Sequence, residues 1–355
     1  MNQIIRLSVC FLFLLFFSNN ELLAQDKEIT IKYKENAVIK IVRLIKENYI
    51  LKNKRDTITK GIIAKFHSGS YNAIYNLVDF ANELTKDLHD ISGDKHFAVV
   101  YDPIRVADMR KEEEEPDKVE QERIEKRRIE SQRTGNFGFK KVEILDGNIG
   151  YLDLRFFRSV SYAAETAHGA MAFLFNSDAI IIDLRNNPGG GAGMYKLLAS
   201  YFFGEDTIHL GNVYNGLTDR IQEFWTLPKL PGKRMPDKDL YILTSKKTFS
   251  AAEEFAYDLK HLNRAIIVGE STGGGAHMVT RLEVNDEFYI FMPFAGAINP
   301  ITKSNWEGIG VQPHYVIKSD EALKTAQILI LKKLINESTD EEYKMKLETL
   351  LQNIN

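Results

Sequence analysis

Apolar positions recur at helical spacing through the first quarter of the chain, then as short continuous runs through its second half. Between Lys34 and Leu88, one stripe is Val38, Ile41, Val42, Ile45 and Tyr49, and a second is Ile58, Ile62 and Phe66. The longest is Ile74, Leu77, Val78, Ala81, Leu84 and Leu88. Breaks at Lys52-Asn53-Lys54 and Ser68-Gly69-Ser70 separate them, so the spacing predicts three short helices in a small bundle. An extended segment, Phe97 to Tyr101, follows Ser92-Gly93-Asp94-Lys95-His96.

From Phe137 onward strands and helices alternate. Val142–Leu145 and Ile149–Leu154 pair as a hairpin across Asp146-Gly147-Asn148, and Ala163 to Phe175 is helical. Ala179 to Leu184 is an apolar run of the kind buried on both faces of a parallel sheet. It ends in Arg185-Asn186-Asn187-Pro188-Gly189-Gly190-Gly191, with a helix beyond. The same strand–loop–helix unit recurs as Leu240–Leu243, Thr248-Phe249-Ser250, and a helix from Ala251 to about Leu259, before a strand at Ala265–Val268. A second hairpin turns at Asn285-Asp286, and helices at Asp320–Ile335 and Glu341–Leu351 close the chain.

Two stretches break this pattern. Lys111 to Arg133 is dominated by Glu, Lys and Arg, and its few apolar residues recur every five positions, which spreads them around a helix. It reads as a solvated helix or flexible arm supported by pairs such as Glu114/Lys118 and Glu122/Lys126. At the N-terminus, a basic start, an apolar run from Leu7 to Phe17 and Leu22-Leu23-Ala24 outline a signal peptide cleaved after Ala24. The run is too short to span a bilayer comfortably, so no integral membrane segment is expected after cleavage. Export to a bacterial periplasm or the extracellular space follows. Cys10 lies inside this segment, so the mature chain has no thiol for a disulfide, a nucleophile or a metal.

Composition adds exclusions. The chain has 355 residues, 44% hydrophobic and 27% charged, with a formal net charge of −3, which argues against a general nucleic-acid binder. The glycines after Leu184 do not complete a dinucleotide fingerprint, and no phosphate-loop Gly-Lys-Ser/Thr occurs, so no cofactor is expected. No His-Glu-x-x-His spacing exists, which speaks against a zinc hydrolase and leaves no metal site to expect.

What remains is a serine at a strand-to-helix junction and a loop of unobstructed backbone N–H groups. Ser250 is a helix N-cap, with Glu253 completing a capping box, or it is a nucleophile; both readings place its hydroxyl at the positive end of a helix. The glycine loop is a tight packing turn or a set of donors for a developing oxyanion. Among eight histidines, His96, His277 and His314 lie in loop-like contexts where a base would be sought.

Five stretches then carry a resemblance. Gly147–Leu154, Ile181–Gly191, Thr248–Phe255, Val268–His277 and Trp306–Pro313 are similar, in order, to the tail-specific (C-terminal processing) serine protease family. Within it, the chain resembles the branch of interphotoreceptor retinoid-binding protein and the tricorn protease core. The resemblance implies an α/β fold with a crotonase-like β-β-α spiral core and peptide-bond hydrolysis with Ser250 as nucleophile. Its substrate would be a peptide or protein. The organisation expected is a signal peptide (1–24), a helical domain (25–101), a charged linker (102–136), a protease core (137–318) and C-terminal helices (319–355).

The better-known branch uses a lysine base, but the aligned position here is Gly275. The tricorn-like branch uses an upstream histidine and a downstream glutamate, positions occupied by His96 and Glu307. That branch has a serine before its histidine where this chain has Lys95, so Asp94, two residues from His96, is the substitute orienter. The oxyanion hole implied is the N–H of Gly189 or Gly190 with that of Ala251. His277 is the alternative base, or it shapes the substrate pocket. Two other uses of the fold compete: a non-catalytic binder of hydrophobic ligands or peptides, and an acyl-CoA enzyme.

Overall fold

The computed structural model describes residues 29–113 and 118–354; the expected signal peptide and Glu114 lie outside them. Two sheets, each with its own helical cover, meet at the site. The larger has six strands in the order β11-β8-β7-β4-β3-β2. These are β2 (Phe139–Leu145), β3 (Ile149–Leu154), β4 (Ala179–Asp183), β7 (Asp239–Thr244), β8 (Ile266–Gly269) and β11 (Tyr315–Val316). All neighbours are parallel except the β2–β3 hairpin.

Successive residues of a strand face opposite sides, and both sides here are covered. Leu152, Ile180, Ile182 and Ile242 pack beneath helices α6 (Val160–Leu174), α7 (Ala192–Ser200) and α8 (Ala251–His261). Tyr151, Ile181, Tyr241 and Leu243 face α9 (Ala322–Glu337) and α10 (Glu341–Ile354). This is why β4 reads as an unbroken apolar run.

The second sheet is antiparallel, in the order β1-β10-β5-β6, with β9 also paired to β10. Its strands are β1 (Ala98–Tyr101), β5 (His209–Asn215), β6 (Arg220–Trp225), β9 (His277–Glu283) and the long β10 (Phe288–Ile298). Phe288, Ile290 and Met292 of β10 join the core of the bundle formed by α1 (Ile31–Asn48), α2 (Arg55–His67) and α3 (Leu77–Ser92). Helix α3 starts on Asn76, whose side chain accepts the N–H of Asp79 at 2.8 Å. It stops at Gly93, whose φ of +75° turns the chain out toward Asp94. The extended segment expected at 97–101 is β1, and its pairing with β10 brings Asp94–His96 against the core.

Two features differ from the sequence reading. The β5–β6 hairpin was not foreseen, because β6 is an edge strand whose residues are exposed except Phe224. The residues expected to be a charged linker begin with a packed helix, α4 (Pro103–Glu113): Val106 and Met109 are buried against Tyr289, and Arg110 pairs with Glu283 and Asp286. The arm beyond it is helix α5 (Lys118–Arg133), which buries none of its residues; its ion pairs are at i,i+3, such as Glu125/Arg128 and Glu130/Arg133. Among the described residues no helix is long and apolar enough to cross a membrane.

Candidate active site

Ser250 sits between β7 and α8 with φ 53° and ψ −125°. A residue with a Cβ holds that conformation only when its surroundings impose it, at a cost of about 1–3 kcal/mol. The imposing contacts tie the loops after β4 and β7 together. Thr248 Oγ1 donates to the Leu184 carbonyl at 2.8 Å, and the Phe249 N–H donates to the Asn187 carbonyl at 3.1 Å. Asn187, fully buried, donates from Nδ2 to the Leu154 carbonyl at 2.9 Å and accepts the N–H of Gly189 at 2.8 Å. A side chain at Gly189 is excluded, since its Cβ would lie 2.8 Å from that of Ser250. The N–H of Gly189 is therefore spent on Asn187. Those of Gly190 and Ala251 have no acceptor among the described residues, and both residues line the same small cleft as Ser250.

Glu253 does far more than complete a capping box. Its buried carboxylate accepts the N–H of Ser250 at 2.9 Å, of Gly274 at 2.7 Å and of Gly275 at 2.8 Å, together with the Thr272 hydroxyl. Burial raises its pKa and these donors pull it back down, with a net rise. The hub binds the start of α8 to the glycine loop before β9. Lys95 adds a strap from outside, donating to the Gly273 carbonyl at 2.6 Å.

A second polar cluster lies on the other side of that loop. Asp94, buried between α3 and β1, accepts the backbone N–H of His96 at 2.9 Å and a bond from Tyr49 at 3.2 Å. Its Oδ2 lies 2.6 Å from Nδ1 of His277, and its Oδ1 lies 3.5 Å from Nδ1 of His96. Burial alone would raise the Asp94 pKa, but the hydrogen bond from His277, the nearby His96 imidazole and the His96 backbone N–H hold it far below the carboxylate range. Burial pushes His277 down, and the bond and charge of Asp94 more than reverse this, leaving it raised. Glu307 accepts the N–H of Ala276 at 2.6 Å through Oε2, and that oxygen is 3.7 Å from His277. Its pKa is raised, chiefly by burial.

His96 is the anomaly of this cluster. Its side chain is only 7% exposed, yet neither ring nitrogen has a hydrogen-bond partner among the described residues. Its ring packs on Phe249, the neighbour of Ser250, with centroids 4.7 Å apart. Glu307 Oε1 is likewise buried and unpartnered. At Gly275, a Cβ would come within 2.2 Å of Phe249 Cζ and 2.6 Å of His96 Cε1. The place where the lysine branch would carry its base is thus filled by an aromatic ring and an imidazole.

The fold therefore brings Ser250, Gly190, Ala251 and His277 to one cleft; His96 packs on Phe249 beside it, and Glu307 lies 3.7 Å from His277. Neither imidazole is hydrogen-bonded to Ser250. His314 is elsewhere: its Nδ1 accepts the Ile267 N–H at 2.9 Å, a structural contact beside β8. The sequence reading missed the hub role of Glu253, whose only local signal was the capping box. It also missed that Asp94 serves His277; no spacing signal could reveal a pair 183 positions apart.

Residues 148–317 match Peptidase family S41, and residues 21–145 match the N-terminal domain of peptidase S41 in eukaryotic IRBP. The chain belongs to peptidase family S41. Among curated S41 relatives, the carboxyl-terminal-processing protease of Synechocystis sp. is 30% identical over 172 residues, 48% of this chain and 38% of that protein. The chloroplastic carboxyl-terminal-processing peptidase 3 of Arabidopsis thaliana is 29% identical over 168 residues, 46% of this chain and 30% of that protein. The chain thus spans well under half the length of these relatives. A solved structure from Parabacteroides merdae shares its fold with a TM-score of 0.58 at 18% identity, covering 84% of this chain and 96% of the other.

Proposed function

We propose that this S41 chain is an exported serine peptidase that hydrolyses peptide bonds in peptides or protein tails, on a crotonase-like core spanning residues 137–318. One observation carries the reading: a buried imidazole, His96, keeps both ring nitrogens free while packed against the residue that precedes a strained serine. An unpartnered buried polar group costs stability and calls for a function. In this reading Ser250 Oγ attacks the scissile carbonyl while His96 takes its proton and then delivers it to the leaving amine. The Gly190 and Ala251 N–H groups, with the N-terminal end of α8 behind them, stabilise the oxyanion. Asp94 orients the imidazolium, and Glu307 adds negative charge to the same cluster. Lys95 holds the glycine loop rather than relaying charge. The Met1–Ala24 pattern supports export to the periplasm or beyond.

A second assignment of the base has its own support. His277 shares the cleft with Ser250 and has the tighter bond to Asp94, so it is the alternative proton acceptor. The test is labelling of the mature protein with a fluorophosphonate probe, alongside turnover of an unstructured peptide pool. Stoichiometric labelling at Ser250, and loss of both signals in folded Ser250→Ala, are expected. Equal turnover by that variant would sink the proposal. Absence of both signals in the parent protein would instead favour a binding protein on the same fold.

A further inference from the structure

The cluster beside Ser250 has a donor set that proton transfer alone does not require. One ligand atom from each of Asp94, His96, His277 and Glu307 lies within 4.8 Å of every other. They come from three separate segments: the turn into β1, the start of β9 and the loop after β10. A general base needs one imidazole and one orienting group. Here two imidazoles and two carboxylates converge, with His96 Nδ1, His96 Nε2 and Glu307 Oε1 all buried and unpartnered.

We propose that Asp94, His96, His277 and Glu307 form a binding site for a zinc-class divalent cation, and that its occupation switches the peptidase off. Two imidazole nitrogens and two carboxylate oxygens suit zinc, whereas magnesium and calcium favour oxygen ligands with retained water. Tetrahedral zinc with bonds of about 2.0–2.2 Å holds its ligand atoms roughly 3.4 Å apart. The four donors therefore need only a modest contraction, apart from the close Asp94–His277 pair. There the cation takes the place of the hydrogen bond, entering between Oδ2 and Nδ1 and sending the Nδ1 proton to Nε2 or to solvent. The Ser250 cleft, which His277 lines, supplies the entry path. The site's existence does not depend on catalysis. The inhibitory consequence rests on the reading of His96 or His277 as the base, since a metal-bound imidazole nitrogen cannot accept the serine proton.

The experiment titrates zinc chloride into the mature Ser250→Ala protein by calorimetry, in competition with a chromophoric chelator and with excess magnesium present. One zinc per chain is expected, with affinity falling tenfold or more in Ser250→Ala chains that also carry His96→Ala or His277→Ala. Cobalt(II) added to Ser250→Ala gives a reading without touching the ligands: intense visible absorption of a tetrahedral site supports the proposal. Weak octahedral absorption, no stoichiometric zinc, or binding indifferent to both histidine variants overturns it. On the active parent protein, zinc inhibition reversed by a chelator is expected. Zinc that binds at these residues without inhibiting would discard the regulatory half alone, and a hydrolytically silent parent would count against the peptidase reading while leaving the binding result intact.

Discussion

Two polar clusters flank the glycine loop before β9, and they are built to opposite rules. Around Glu253 every partner is in place: three backbone N–H groups and a hydroxyl converge on one buried carboxylate. Around Asp94 only part of the hydrogen-bonding capacity is used, and three buried atoms of His96 and Glu307 have no partner among the described residues. A satisfied buried network rigidifies, whereas a partly satisfied one is a liability unless something else uses the free atoms. The first cluster thus fixes where Ser250 stands. The second, in our reading, holds groups ready to exchange a proton.

The sharpest way to break this contrast is kinetic. If the free imidazole is the base, His96→Ala lowers kcat/KM for peptide hydrolysis by about 100- to 10,000-fold, and His277→Ala lowers it less. The reverse ranking moves the base to His277 and makes His96 a packing residue.

Next comes stability. Glu253→Gln turns an acceptor oxygen into a donor facing N–H groups, and is expected to cost about 3 kcal/mol or more, read from urea unfolding. Glu307→Gln, in the under-satisfied cluster, is expected to cost clearly less. Equal losses would erase the distinction between the two clusters.

A third test addresses the space between them. Gly275→Ala drives a methyl group into Phe249 and His96, with an expected loss of about 1–3 kcal/mol by denaturant unfolding. Gly275→Lys is expected to fail as a transplanted lysine base, because the same contacts displace His96. Retained stability in both variants would mean that His96 and Phe249 shift freely.

The smallest expected effect concerns the helix that starts at Ser250. Burial and the nearby charge of Asp258 push Glu254 up to about 8. Burial pushes Asp258 up to about 7, against hydrogen bonds from Tyr195 and Asn299. Between the unfolded values near 4 and these folded ones, the native state binds more protons. These two groups therefore make stability fall as pH rises through that window. Glu254→Gln is expected to shrink the drop in Tm between about pH 5 and 9 by a few degrees. An unchanged slope would show that Glu254 is already ionised in the folded protein.

Much of the scaffold was legible because it is written in local periodicity. The three N-terminal helices, the β2–β3 hairpin, the run of β4 and the strand–loop–helix around Ser250 each bury a face whose spacing is visible in a dozen residues or so. The β5–β6 hairpin was not, since an edge strand with a nearly all-exposed face carries no alternation to read. Likewise α4 looked like part of a charged linker because only Val106 and Met109 anchor it, and their partners lie on β10, far along the chain.

For the site, sequence alone determined the residue types, the strand-to-helix setting of Ser250, the unobstructed glycine loop and the absence of a lysine at Gly275. Only the tertiary structure decided which donors are free. The Gly189 N–H is consumed by Asn187, Asp94 is shared between two histidines, and His96 occupies the room where the lysine would stand. The physical reason is one of range. Helix and strand preferences act over a few residues, whereas the satisfaction of a buried polar atom depends on whatever packing brings within about 3 Å of it. At this site that partner is often more than a hundred positions away, as Asp94 is from His277.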